Sequence, residues 1–178
     1  PADRRIFIEN GYFEDTMQVD AEGINAFNSL PRDPEFYRAY KPKGTLSDPT
    51  LNIRTPKHAA HGTQPLPEGA IFVPFQVDSD MQITRLSPWV KSMNQFYSIL
   101  LQMVERQPEQ VFVIKEHPMT RKPLCDRVER HPRILFQNGR DTGALIGEAA
   151  GVLTINSTVG IEALSLGRRV ITLGQSCY

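Results

Sequence analysis

Gly151-Val152-Leu153-Thr154-Ile155-Asn156-Ser157-Thr158-Val159-Gly160-Ile161-Glu162-Ala163-Leu164 begins as a short, mostly apolar run and turns polar at Asn156. A strand buried on both faces of a parallel sheet reads this way, because helices cover both faces and few positions meet water. The run passes directly into a helix whose first residues are Ser, Thr and Gly. Backbone N–H groups and hydroxyls at such a start make a seat for a phosphate. Val111-Phe112-Val113-Ile114-Lys115-Glu116-His117-Pro118 has the same form, an apolar strand with an abrupt polar end. Ligands of open α/β sheets gather outside the carboxyl ends of the strands. The two segments together predict the nucleotide-binding half of an α/β protein, with His117 aimed at the same crevice.

The alternation continues on either side. Ala70–Val77 predicts a strand, and Asp78-Ser79-Asp80 a polar loop after it. Ser87 is placed to cap a helix with Pro88 at its first position. Val90, Met93, Tyr97, Leu100 or Leu101, and Val104 follow at spacings of three and four, which marks an amphipathic helix packed on a sheet. Beyond strand Val111–Lys115 and a crossing rich in Pro and Arg, strand Arg133–Gln137, helix Thr142–Ala149, strand Gly151–Ile155, helix Val159–Leu166 and strand Arg169–Leu173 complete the series, with Gly167 as C-cap. Such alternation implies a Rossmann-like parallel sheet with flanking helices and right-handed crossovers. Upstream the signals are sparser. Arg5–Ile8 reads as a strand closing on a Glu9-Asn10-Gly11 turn, and Asp33 and Pro34 start a helix over Pro34–Tyr40. Residues 41–69, with five prolines among Lys, His, Gly and Thr, read as a surface linker. The predicted organisation is an N-terminal segment and Pro-rich linker over 1–69 and a Rossmann-like domain over 70–178.

At 40% hydrophobic and 22% charged, the 178 residues describe a globular chain, not a disordered one. Twenty basic residues balance twenty acidic ones, so nothing supports bulk binding to nucleic acid. Cys125 and Cys177 lie far apart without CxxC or Cys/His spacing, which fits a reducing compartment better than a disulfide scaffold or zinc site. The four histidines show no ligand spacing either, so no metal is expected. No signal peptide or membrane-spanning run is legible, and the expected setting is cytoplasmic. The chain opens on Pro1 and not on Met, as a trimmed chain or a fragment would.

Each candidate site residue has a bland alternative. His117, followed by Pro118, can donate to a phosphate or protonate a leaving oxygen, since imidazole titrates near neutrality; it can equally be a strand-end histidine with its hydrogen bonds satisfied. Ser157, Thr158 and Gly160 can hold a phosphate at the helix start, with Glu162 one turn on reaching ribose hydroxyls; simple N-capping by Ser157 or Thr158 is the alternative. Asp78 and Asp80, in the loop after the strand at 70–77, can serve as base, nucleophile or oxocarbenium stabiliser. Alone they read as a solvated turn, and Glu9 has the same ambiguity. Lys115 and Arg85 can contact acidic groups or simply be solvated. The missing Walker and GxGxxG patterns weigh against kinase, NTPase and dinucleotide readings.

Four stretches, Ile8–Gly11, Pro74–Asp80, Lys115–Pro118 and Asn156–Leu164, together resemble the bacterial capsule polysaccharide biosynthesis/export family, in the same order and over nearly the whole chain. Its characterised members are Kdo (3-deoxy-D-manno-octulosonic acid) glycosyltransferases of GT-B architecture. The resemblance implies that 70–178 is the nucleotide-sugar-binding half of a GT-B enzyme, and 1–69 a stub of the acceptor domain. It also implies CMP-Kdo as donor substrate with no further cofactor, a lipid or lipid-linked glycan as acceptor, and a peripheral place at the inner membrane with the capsule assembly machinery. Carried over by position, His117 with Pro118 contacts the CMP phosphate, Ser157, Thr158 and Gly160 complete that site, and Glu162 approaches the ribose. Asp80 becomes the principal catalytic carboxylate. Glu9 takes the first place of an acidic-acidic-glycine motif, from whose second place Asn10 departs. The short first domain and the end at Tyr178 lead one to expect a fragment or an unusually short family member. Two rivals remain: a non-catalytic polysaccharide-binding or export-associated module, and a transferase using another nucleotide sugar, such as CMP-sialic acid or a UDP-sugar.

Overall fold

The computed structural model describes residues 5–11, 16–41 and 64–178. These fall into two compact units, 5–41 with the last two residues, and 64–176. Most of the expected linker, including His58 and His61, lies outside the described residues.

In the N-terminal unit, β1 (Phe7–Asn10) pairs antiparallel with β2 (Met17–Asp20), in the register Phe7 to Asp20 and Asn10 to Met17. Glu9 and Asn10 therefore lie in the strand and not in the expected turn, with Glu9 opposite Gln18. The ladder carries the strand past the polar residues that suggested a stop. Asp20 ends β2 and accepts from the backbone N–H groups of Glu22, Gly23 and Ser29 and from the Ser29 hydroxyl. The Ser29 hydroxyl, then those amides, hold its carboxyl well below the usual range. Asp33 caps α1 (Pro34–Ala39) by accepting from the Glu35 N–H at 2.9 Å, with Pro34 in the first turn.

The second unit is the predicted Rossmann-like sheet. Its strands are β3 (Ile71–Pro74), β4 (Phe112–Lys115), β5 (Ile134–Phe136), β6 (Gly151–Thr154) and β7 (Arg169–Thr172). All neighbours are parallel, in the order β5-β4-β3-β6-β7. Helices α2 (Met81–Thr84) and α3 (Met93–Arg106) lie between β3 and β4, α4 (Thr142–Glu148) between β5 and β6, and α5 (Val159–Ser165) between β6 and β7. Strand alternation builds two apolar layers. Val73, Phe112, Ile114 and Leu153 join Met93, Phe96, Tyr97, Leu100 and Val104 of α3. Phe72, Val113 and Val152 join Leu145 and Ile146 of α4 and Ala163 of α5.

One helix start differs from expectation. α3 is capped by Ser92, whose hydroxyl accepts from the Gln95 N–H at 3.1 Å, and not by Ser87. Ser87 is buried and gives its hydroxyl to the Val90 carbonyl, while the Trp89 indole N–H donates to the Leu173 carbonyl. Tertiary bonds thus hold 87–91 out of the helix despite Pro88. Gly167 follows α5 at φ 69°, the left-handed conformation a C-cap glycine supplies.

Candidate active site

The order of the strands reverses between β3 and β6, so the crevice at their carboxyl ends is the switch point of the sheet. β3 pairs with β6 only over Ile71 and Phe72. Pro74, with no N–H to give, ends β3. Beyond it a reciprocal amide pair spans the gap. Gln76 Nε2 donates to Asn156 Oδ1 at 3.0 Å, and the Asn156 N–H donates to Gln76 Oε1 at 3.4 Å. Asn156 Nδ2 also donates to the Gln82 carbonyl at 2.8 Å. Both side chains are buried. They fix the floor of the crevice, and sequence reasoning missed them because the partners lie eighty positions apart.

Next to this floor is a cleft of about 720 Å³. The loop after β3 (Gln76, Asp78, Ser79), the start of α3 (Met93, Asn94) and the loop after β4 (Met119, Arg121, Lys122) form its walls. Asp78 ties two walls together by accepting from the Met93 N–H at 2.7 Å. The third wall hangs on Glu116. This carboxylate is only 7% exposed and accepts from the backbone N–H of Leu124, from that of Cys125 at 3.4 Å and from Asn138 Nδ2 at 2.9 Å. Burial alone would raise the Glu116 carboxyl, but bonds from Asn138, from the Cys125 thiol and from the two backbone amides outweigh it and hold it below the ordinary range. The same surroundings, burial first and the hydrogen bond to Glu116 second, push the Cys125 thiol up to about 12, which disfavours its reactive thiolate form.

His117 is exposed at the end of β4. Its Nδ1 accepts from the Met119 N–H at 3.1 Å, and its carbonyl accepts from the Thr120 N–H at 2.9 Å. An accepting Nδ1 puts the proton of the neutral ring on Nε2, so the ring presents an N–H donor. Lys115 is turned away from any ligand: its ammonium donates to the Arg140 carbonyl, and burial lowers its pKa. Asp80 is exposed and caps α2, accepting from the Gln82 N–H at 2.9 Å. Asp78, and not Asp80, lines the cleft.

At the end of β6, Ser157 N–H donates to Thr154 Oγ1 at 3.1 Å and Ser157 Oγ accepts from the Val159 N–H at 3.3 Å. The Gly160 N–H turns back to the Ser157 carbonyl, and those of Ile161 and Glu162 to Thr158. Ser157 thus closes a local turn just before α5, whose N-cap residue, Thr158, makes no side-chain cap bond. Thr158 is exposed and Glu162 half-buried. None of Ser157, Thr158, Gly160 or Glu162 lines the cleft beside β4. Glu9 belongs to the N-terminal unit, where its carboxylate accepts from the Asn10 N–H at 2.9 Å. Arg121 and Lys122, in what read only as a polar crossing, were missed; their signal was two adjacent cations just beyond a strand-end His-Pro.

A five-stranded parallel sheet with helices between its strands and a cleft at the carboxyl ends of β3 and β4 defines a Rossmann-like α/β protein. The chain belongs to the capsule polysaccharide biosynthesis protein family, whose model matches residues 54–178. It is 48% identical over 175 residues to Protein FixF of Sinorhizobium fredii, covering 98% of this chain and 44% of that protein. It is 25% identical over 239 residues to the capsule polysaccharide export protein KpsS of Escherichia coli, covering 98% of this chain and 61% of the relative. The chain thus spans about half the length of the curated relatives it matches. Among solved structures it is similar in fold to the β-Kdo 2,7 transferase of Thermosulfurimonas dismutans KpsC, with a TM-score of 0.59 and 20% identity over 98% of this chain and 59% of that one. No described helix is long and apolar enough to cross a membrane.

Proposed function

We propose that the chain is the donor-binding part of a capsule-synthesis glycosyltransferase that moves Kdo from CMP-Kdo to a lipid or lipid-linked glycan. The observation that carries it is His117, an exposed imidazole at the carboxyl end of a central strand, its Nδ1 fixed by the Met119 N–H. A ring held in that way offers Nε2–H to an anionic leaving group without reorganising. In this reading the leaving group is cytidine monophosphate, from the CMP-Kdo donor that the resemblance implies, and membership of a capsule polysaccharide biosynthesis family supports it.

In this mechanism the bond between the anomeric carbon of Kdo and the CMP phosphate oxygen breaks, and the phosphate leaves with the electron pair. His117 donates to that phosphate, beside Pro118. Ser157, Thr158 and Gly160 contribute hydroxyl and backbone contacts once the Ser157–Val159 turn bond is exchanged for ligand, and Glu162 accepts from the ribose. Asp80 stabilises the oxocarbenium-like carbon, and Glu9 assists acid/base steps at the acceptor. The donor is a substrate and no further cofactor takes part. The proposed setting is the cytoplasmic side of the inner membrane, with peripheral attachment to the capsule assembly machinery. Replacing His117 by Ala in the full-length protein lowers CMP release from CMP-Kdo by roughly 10² to 10⁴, the usual worth of a positioned proton donor. Unchanged turnover would sink the assignment.

The Ser157 turn, whose N–H and hydroxyl are bonded to Thr154 and Val159, favours a second reading, a polysaccharide-binding module without catalysis. Calorimetry separates the two: a Kdo oligosaccharide that binds where CMP does not identifies the module.

A further inference from the structure

We propose that Glu116 is a positioning residue: its buried carboxylate latches the 117–124 loop onto the end of β4, so that Arg121 and Lys122 line the cleft as a receptor for an anionic ligand, with His117 exposed at the start of the same loop. The identity of that ligand rests on the function proposed above; the latch does not.

The geometry is that of a clasp. Glu116 precedes the loop, and its side chain folds over to the N–H groups of Leu124 and Cys125 at the far end. Asn138, beyond β5, then grips Glu116 twice. Its Nδ2 donates to Glu116 Oε2 at 2.9 Å, and its Oδ1 accepts from the Glu116 N–H at 2.9 Å. Arg127 reinforces the exit of the loop by donating to the Pro123 and Lys122 carbonyls, each at 3.3 Å. A neutral side chain could close a loop at lower desolvation cost, so an ionised carboxylate at 7% exposure implies a gain in definition of the loop.

What the clasp presents is positive. Among the described residues, neither Arg121 nor Lys122 forms an ion pair. The two carboxylates of the cleft wall are already occupied, Asp78 by the start of α3 and Glu116 by the clasp. A wall with its negative charge bound internally and its positive charge unpaired suits a phosphate or a carboxylate.

The hydrogen bonds between Glu116 and Asn138 can be inverted, which gives a decisive test. In Glu116→Gln the new amide has only one acceptor for three donors; in Asn138→Asp two carboxylates oppose each other. In the double variant Glu116→Gln/Asn138→Asp the amide donates to the new carboxylate, while its carbonyl still accepts from Leu124. We expect each single variant to weaken CMP binding in calorimetry about tenfold, as loss of a charged hydrogen bond does. Amide exchange from Met119 to Cys125 should also quicken, and the double variant should recover most of both. A Kdo monosaccharide is titrated alongside, to tell a phosphate ligand from a carboxylate one. Single variants that match the parent in binding and exchange overturn the latch, as does a double variant no better than the singles. If the parent binds Kdo but not CMP, the proposed donor fails while the anion receptor stands. If it binds neither, the receptor is overturned, and exchange rates still decide the latch.

Discussion

Asn156 shows how much a single side chain can fix in this crevice. It bonds Gln76 through both its side chain and its backbone, and reaches the Gln82 carbonyl as well. Asn156→Ala leaves the Gln76 amide buried without its partner, which costs about 1–3 kcal/mol. Urea unfolding measures this directly, and a midpoint equal to the parent's would show that the pair carries no weight. Gln76→Ala alone should cost a similar amount, and the double replacement less than the sum, because the two residues share one interaction. Residue types at strand ends were legible in the sequence: His117, Asp78 and Asp80 all sit where the apolar runs suggested. Their bonding was not. Asp80 turned out to cap α2 and Ser157 to close a turn ahead of α5, roles set by where the chain goes two residues later. Glu116 passed unnoticed beside His117, because its partner Asn138 comes from the far side of β5.

At the scale of elements, five strands and the long helix α3 followed from periodicity alone. Val90, Met93, Tyr97, Leu100 and Val104 are all buried, as their spacing predicts. The start of α3 did not follow: Ser87-Pro88 reads as the cap, and Ser92 supplies it. What decides is Asp78, whose carboxylate accepts from the Met93 N–H from outside the helix. β2 was also missed: four residues of alternating pattern, with exposed Met17 and Val19, carry little signal. Gly167 gives a clean test of local backbone chemistry. Its φ is 69°, and nothing would touch an added Cβ within 4 Å. Gly167→Ala therefore pays only for the left-handed backbone, roughly 1–2 kcal/mol. Thermal or urea unfolding with no loss of stability would mean that α5 ends in some other way.

For the whole molecule, the sheet places the cleft at the carboxyl ends of β3 and β4, one strand from the switch point, and membership of a capsule-biosynthesis family limits the chemistry considered for it. A sequence without ligands can show that β4 and β6 deliver polar ends to one edge of a sheet. It cannot show that a cleft lies on the β4 side, since that depends on the loop held by Glu116. The central claim is that this edge binds a cytidine nucleotide through His117. Calorimetric titration of CMP into the chain, with UMP and GMP as controls, tests it most directly. Binding of CMP in preference to both, weakened at least tenfold in His117→Ala without loss of folding, is the predicted result. CMP that fails to bind, or that binds equally well to His117→Ala, would contradict it.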